Sequence, residues 1–403
     1  GMGTVFLARQ TEPVDRFVAL KVINGRFHSQ TALARFQQEQ QALARLTHEN
    51  IAQLYDAGAT DEGEPYFLME FVEGDPIDEY AKSHTLSVPA RLKLFAQACR
   101  AVQFAHQRGI LHRDLKPANL LVQHREEGPT VKLIDFGIAR VADDTGASGL
   151  TGTSILGTPA YMAPEAFDRE ITADIRQDVY SLGLVLFELI VGTHPLRGKS
   201  AVEVAKSYAE TRELDPSEIW RAADAKTQTV VLSERQSNPR EMVDSLKGDL
   251  GAVIRKATAQ DSDARYDSVS HLADDVGRYL DGYPVEATNP TTSDRFARFV
   301  ARHRLIVAAA VLAVLSLVTG VVVSVRSAAQ ANAQAQIAKS AKSFLVDLFR
   351  SSDPTLSRGK ELTVKQALKA GTEEILASPN TMDTKLRADM ALTIGEVYYT
   401  LGA

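Results

Sequence analysis

Four side chains in one stretch of this sequence could move a phosphoryl group. Asp114, Lys116 and Asn119 lie within His112-Arg113-Asp114-Leu115-Lys116-Pro117-Ala118-Asn119, and Asp135 opens Asp135-Phe136-Gly137 a short way downstream. Phosphoryl transfer asks for such parts: a carboxylate to orient an attacking hydroxyl, a cation for the phosphate, and oxygen ligands for Mg²⁺. An isolated Asp-Phe-Gly is a chance tripeptide. The eight-residue run followed at short range by the triplet is a constellation.

The rest of the chain must position these groups. At 403 residues it exceeds one ordinary core, so two or three domains are expected. A net charge of −6, with acids and bases well mixed, argues against a nucleic-acid binder working through a global basic surface. The single cysteine, Cys99, excludes an intrachain disulfide framework and a multi-cysteine metal site. Spaced helically with Leu92, Phe95 and Val102, it reads as a buried small hydrophobe in preference to a reactive thiol. No secretory signal opens the chain. Residues 305–325 instead run 21 positions without a charge. As a helix they are long enough to cross a hydrocarbon core of ~30 Å.

Residues 17–23 are β-rich and read as a strand, with Ala19 and Lys21 on one face and Val18, Leu20 and Val22 on the other. Residues 31–46 show helical spacing, and Glu39 falls on their apolar stripe, where a carboxylate wants a cation. Residues 66–72 read as a strand and 86–107 as a helix. Residues 120–122 and 131–134 read as paired strands joined by a turn containing Gly128-Pro129. The polar, Gly- and Thr-rich segment 142–157 favours no packed core. From Asp178 to Ile190 the pattern is almost wholly apolar, the mark of a buried helix, with Asp178 placed as its N-cap. Asn289-Pro290-Thr291-Thr292 reads as a linker, followed by Arg295, Arg298, Arg302 and Arg304. Beyond the apolar run, residues 327–349, 362–376 and 384–401 carry helical patterns.

These motifs resemble those of protein kinases: the catalytic loop around Asp114, the metal-binding triplet at Asp135, and Ala163-Pro164-Glu165 closing an activation segment. The resemblance covers residues 1–283 and implies an α+β, two-lobed fold, with an N-lobe at 1–72 and a C-lobe at 73–283. A basic juxtamembrane linker (284–304), one transmembrane helix (305–325) and a helical region (326–403) would follow. The last helix is similar to the first helix of a tetratricopeptide repeat, with a generic amphipathic helix as the alternative. Gly1-Met2-Gly3 resembles only the tail of a glycine-rich loop, so the N-lobe is expected to be truncated, with weakened ATP binding and turnover.

The resemblance implies ATP and Mg²⁺ as cofactors. Asp114 would orient the substrate hydroxyl, Lys116 would neutralise the moving phosphate, and Thr158 would help seat the substrate. Asn119 and Asp135 would hold the metal. Gly3, Val5, Ala19 and Lys21 would line the nucleotide, with Glu39 pairing with Lys21. Glu70 and Val72 would meet adenine through their backbones beside Met69. Lys116 after Asp114, together with Thr158, favours Ser/Thr over Tyr substrates. Arg113 implies control by phosphorylation at Thr151, Thr153 or Ser154, against the alternative of a solvated loop whose hydroxyls do nothing. Glu165 and Arg265 would pair structurally, and Asp178 would brace the catalytic loop, as well as or in place of capping its helix. The whole is similar to a bacterial transmembrane Ser/Thr protein kinase. Its partners would be protein substrates, the cytoplasmic membrane crossed once, and a protein partner for the C-terminal helices, with no nucleic acid. Four arginines in the ten residues before the apolar run, against one in the ten after, place the kinase side in the cytoplasm, where ATP is supplied. A catalytically impaired membrane scaffold stays open as the alternative.

Overall fold

The computed structural model describes residues 3–23, 40–61, 63–136, 158–168, 172–196, 198–210, 213–351, 365–366, 368–369, 372–373 and 384–400. The chain divides into two compact units, Gly1–Arg302 and His303–Ala403.

The first unit has two lobes. Its N-terminal lobe is an antiparallel sheet of β1 (Gly3–Gln10), β2 (Arg16–Ile23), β3 (Leu54–Ala59) and β4 (Pro65–Glu70), in the order β1-β2-β4-β3. Register places Val5 opposite Lys21 and Leu7 opposite Ala19, while β4 sets Phe67 and Met69 against the same two β2 residues. Period two therefore puts Val5, Ala19 and Lys21 on one face, and Val18 is buried on the other. Strand β4 stops at Glu70, short of the Val72 end expected from sequence, because Phe71 and Val72 already belong to the connection between lobes.

The C-terminal lobe begins with β5 (Asp75–Pro76), α1 (Ile77–Ser83) and α2 (Val88–His106). Proline at the start of α2 costs no hydrogen bond there, and Leu92, Phe95, Cys99 and Val102 form its fully buried stripe. Burial pushes the Cys99 thiol up, which keeps it protonated. Strands β6 (Leu120–Arg125) and β7 (Gly128–Leu133) pair antiparallel with β5 at the edge. Their turn falls at Glu126-Glu127. Gly128-Pro129 instead starts β7, with Gly128 at φ 118°, where a side chain would be strained.

Helix α3 (Ile175–Val191) is the core of this lobe, buried from Gln177 to Val191. Its N-cap is Asp174, not Asp178, which lies inside the first turn. Gly192, at φ 86°, ends it in the left-handed conformation. Its last carbonyls go to two buried arginines. Arg235 donates through Nε to Ile190 O at 2.6 Å, and Arg91 donates through Nη1 to Leu189 O at 3.4 Å. Burial, with Arg235 nearby, lowers the Arg91 guanidinium to about 9. Truncating a fully buried leucine here, such as Leu186→Ala, costs about 2–5 kcal/mol.

Helices α4 (Ala201–Glu210), α5 (Pro216–Ala222), α6 (Ala225–Glu234), α7 (Pro239–Lys247), α8 (Asp249–Ala257) and α9 (Val269–Leu280) complete the lobe. Side chains of Asp215, Asp224, Asn238 and Ser268 cap four of them. The compact unit then continues into α10 (Thr292–Arg302), an amphipathic helix in the stretch read from sequence as a linker.

In the second unit, α11 (Arg304–Ser351) is one unbroken helix, ~70 Å long at 1.5 Å per residue, with its apolar part exposed. It joins the apolar run and the Ala/Gln-rich segment that the sequence separates. By length and composition alone it is a candidate membrane span. Helix α12 (Thr384–Thr400) buries Ile394 against Leu368, flanked by Met390 and Tyr398.

Candidate active site

The loop that carries Asp114 is built outward from Asp178. Its Oδ2 accepts from His106 Nε2 at 2.7 Å and from the His112 backbone N–H at 2.8 Å, and its Oδ1 accepts from Arg113 N–H at 2.9 Å. Burial works against the charge, but these donors outweigh it and hold the Asp178 carboxyl below the usual range. Arg113 is thereby held at φ 64°, a left-handed backbone that a β-carbon disfavours. Its Nε is buried with no hydrogen-bond partner among the described residues.

His112 pins the loop to the strand leading into Asp135. Its Nε2 donates to Ile134 O at 3.0 Å and its Nδ1 accepts from Asp114 N–H at 3.3 Å. One donating and one accepting nitrogen is the neutral imidazole, and full burial lowers its pKa in agreement. The ring also packs against Phe136, with centroids 4.9 Å apart.

Asp114 is reached by three groups. Lys116 Nζ donates to its Oδ2 at 2.7 Å and also to Thr158 Oγ1 at 3.0 Å. Asn119 Nδ2 donates to its Oδ2 at 3.2 Å and its carbonyl at 2.7 Å, and Thr158 N–H reaches Oδ1 at 3.3 Å. Committing the Asn119 nitrogen to Asp114 turns its amide oxygen the other way. A carboxylate, a cation and a hydroxyl 42 residues away thus meet at one point.

Across the cleft, Lys21 Nζ lies 2.7 Å from Asp135 Oδ1. Glu39, the partner expected for Lys21, lies outside the described residues, as do Thr151, Thr153 and Ser154. Asp135 has φ 59°, so the residue that turns the chain also carries the carboxylate. At Gly3 the strands come so close that a β-carbon would sit 2.2 Å from Val22 O. A small cavity of about 30 Å³ is lined by Met69, Phe67, Leu133, Asp135 and Phe136, among others.

Sequence reasoning missed the anchor of the lobe connection. Lys132 Nζ donates to Glu70 Oε2 at 2.8 Å and to Ile51 O at 3.4 Å, from a nearly buried position. Glu70 N–H is spent on Gln53 O at 2.8 Å. A signal existed: a lysine between Val131 and Leu133 in a buried strand needs a carboxylate. His106 was missed as well, since nothing local ties it to Asp178.

On the far side, Arg265 donates to both oxygens of Glu165, at 2.6 and 2.8 Å, and to Ala259 O and Gln260 O. This bidentate pair fastens the Pro164–Phe167 turn to the helical body.

Residues 1–271 match the protein kinase domain family. The chain belongs to that family. Among curated relatives, the serine/threonine-protein kinase PknB of Mycobacterium tuberculosis is 35% identical over 297 residues, covering 72% of this chain and 43% of PknB. The probable serine/threonine-protein kinase PknB of Lactococcus lactis is 36% identical over 279 residues, covering 68% of this chain and 40% of that protein. The corresponding Bifidobacterium longum protein is 32% identical over 304 residues, covering 72% and 40%. The chain therefore spans less than half the length of the curated relatives it matches. The arrangement at Asp114, Lys116, Asn119 and Asp135 lies within the part that matches the kinase family.

Proposed function

We propose that this chain is an ATP-dependent protein Ser/Thr kinase. The observation that carries it is the convergence of Lys116 and Thr158 on the Asp114 carboxylate, with Asn119 turned by the same group. Asp114 accepts or orients the proton of the attacking hydroxyl, and Lys116 moves with the charge that develops on the transferred phosphoryl group. Lys21 neutralises the nucleotide phosphates, the Glu70 carbonyl and Val72 N–H meet adenine, and Val5 and Ala19 pack over it.

The donor set fits Mg²⁺. No group of three His, Cys, Asp or Glu side chains clusters among the described residues, so these offer no cage of their own. One carboxylate and one amide oxygen suit a hard cation that takes its other ligands from phosphate and water. When bound, that ion compensates charge on the triphosphate. Thr158 seats a hydroxyl-bearing substrate, while Glu165 and Arg265 hold the segment on which it docks.

Regulation and location extend the proposal. The buried Nε of Arg113, without a hydrogen-bond partner among the described residues, supports a cation waiting for a phosphate, for which Thr151, Thr153 and Ser154 are the nearest candidates in sequence. Residues 1–283 would form the kinase domain and 284–304 the juxtamembrane segment. Residues 305–325 would cross the cytoplasmic membrane once, leaving 326–403 outside as a tetratricopeptide-like partner-binding region. Incubation with Mg-ATP followed by mass spectrometry tests the activity. Phosphoserine or phosphothreonine should appear in the chain or an added peptide library and vanish in Asp135→Asn. Equal labelling in Asp135→Asn refutes the metal assignment, and no labelling of any hydroxyl by the wild type refutes the kinase reading.

A further inference from the structure

Lys132 ties the two lobes together at the level of the cleft. Residues alternate along β7, with Val131 and Leu133 fully buried on one face and Lys132, 6% exposed, on the other. From this C-lobe strand its ammonium reaches Glu70, the last residue of β4 in the N-lobe sheet, at 2.8 Å. Gln53 holds Glu70 twice more: the Glu70 N–H donates to Gln53 O at 2.8 Å, and Glu70 Oε2 accepts from Gln53 N–H at 3.2 Å. The segment that carries Gln53 is in turn sewn to β7. Leu133 N–H donates to Asn50 O at 2.8 Å, Ala52 N–H to Leu133 O at 2.9 Å, and Lys132 Nζ to Ile51 O at 3.4 Å. The end of β4 is thus referenced to β7, and β7 leads within two residues into Asp135. A buried ion pair is often no more stable than apolar residues of similar volume. What it adds is direction, because ammonium and carboxylate hold each other only where their hydrogen bonds align.

We propose that Lys132 is a positioning residue for base selectivity: through the Glu70 carboxylate it fixes the backbone that reads adenine. The inference rests on the reading above, in which the Glu70 carbonyl and the Val72 N–H meet that base. Adenine presents an amino donor where guanine presents a carbonyl acceptor. A backbone carbonyl held in place accepts from the first and faces the second with no donor between them, which leaves buried oxygens unpaired. A backbone free to turn could offer an N–H instead and take either base. The ladder of β4 ends at Glu70, and Phe71 and Val72 run on outside it. The clamp from Lys132 and Gln53 supplies, at that residue, the rigidity that the sheet stops providing. Lys132 itself touches no substrate and acts through Glu70.

The test titrates the full chain with Mg-ADP and Mg-GDP, which carry no γ-phosphate to transfer, and reads the ratio of the two dissociation constants. That ratio does not depend on the folded fraction of a preparation, so a merely structural role leaves it unchanged. Wild type should favour ADP, and Lys132→Met should shrink the preference about tenfold, the scale of one hydrogen bond lost from alignment. Lys132→Met also strands a mostly buried carboxylate, which can prevent folding. The double variant Lys132→Met with Glu70→Gln removes that charge and keeps an oxygen for the Gln53 N–H. It should regain much of the stability to urea and none of the base preference. If Lys132→Met does not fold, the double variant decides alone. A preference kept in Lys132→Met, or present at the wild-type level in the double variant, overturns the positioning role. Equal binding of ADP and GDP by wild type overturns it together with the adenine contacts, and leaves phosphoryl transfer to the labelling experiment above. Binding of neither nucleotide by wild type overturns the nucleotide reading itself.

Discussion

Asp114 is fixed by Lys116, Asn119 and Thr158 in front and by the Asp178-anchored backbone behind, whereas Lys21, across the cleft, has Asp135 as its ion-pair partner among the described residues. The first half of the site is preorganised: its dipoles and hydrogen bonds are in place before a substrate arrives, where they cost no reorganisation during the reaction. Among the described residues, the second half has one ion pair, whose carboxylate is also the proposed metal ligand. Asp135 cannot give its full charge to both Lys21 and a divalent ion, so on the proposed reading metal binding would loosen this pair. On the proposed reading, chemistry is built into the loop that carries Asp114, and binding is left to the lobes.

The largest expected effect tests that division. Asp114→Asn should cut kcat by about 10²–10⁴, the range for a general base, and leave KM for ATP within about threefold. Lys21→Met should raise KM for ATP as its main effect. Both changes falling on the same constant in steady-state kinetics would break the comparison.

A smaller effect concerns stability. Asp178→Ala strips the acceptor from a buried histidine and two backbone N–H groups, and should cost about 3–5 kcal/mol in urea unfolding. Lys21→Met removes a partly solvated pair and should cost about 1 kcal/mol or less. Equal losses would mean that the two halves are held alike.

What the sequence revealed follows the same line. The kinase family was legible because the residues around Asp114 and the Asp135 triplet are contiguous in the sequence. Helix α3 was legible from its all-round apolarity, but residues 305–325 share that signature and lie exposed in α11. Composition says that such a helix shuns water and not what surrounds it. Pairs far apart in sequence had no local mark: Lys132 with Glu70, His106 with Asp178, and Arg91 and Arg235 on the end of α3. Each is a charge that fits only once the tertiary structure has assembled its partner. The displaced β6–β7 turn shows the limit at finer scale. Gly128-Pro129 has turn composition, yet Pro129 also suits a strand start, and register across Gln123–Thr130 decided between them.

The smallest expected effect lies in the pH dependence of the loop. His112 is neutral in the fold because burial lowers its pKa, and its Nδ1 accepts the Asp114 N–H. In the unfolded chain an unperturbed histidine titrates near ~6.5. Below that pH the unfolded state binds a proton that the native state refuses, so stability falls as pH drops and is unaffected by His112 above it. The slope from this one group is at most ~1.4 kcal/mol per pH unit. Asp178 acts in a separate, more acidic window. Its folded pKa is lowered, so its contribution is complete above the ordinary aspartate range near ~3.9 and is lost as pH falls through the lowered native value. Urea midpoints should therefore decline from about pH 6.5 downward, before the carboxylates begin to protonate. His112→Phe keeps a ring against Phe136 but has nothing to protonate. It should be less stable than wild type at neutral pH, because Ile134 O and Asp114 N–H lose their partner, and its midpoint should decline less between pH 6.5 and 5. His48 is also lowered by burial and remains in the variant, so the comparison is between slopes. Parallel slopes in the two proteins would show that His112 does not sense pH in this range, and that its neutral state is not what holds Asp114 in place.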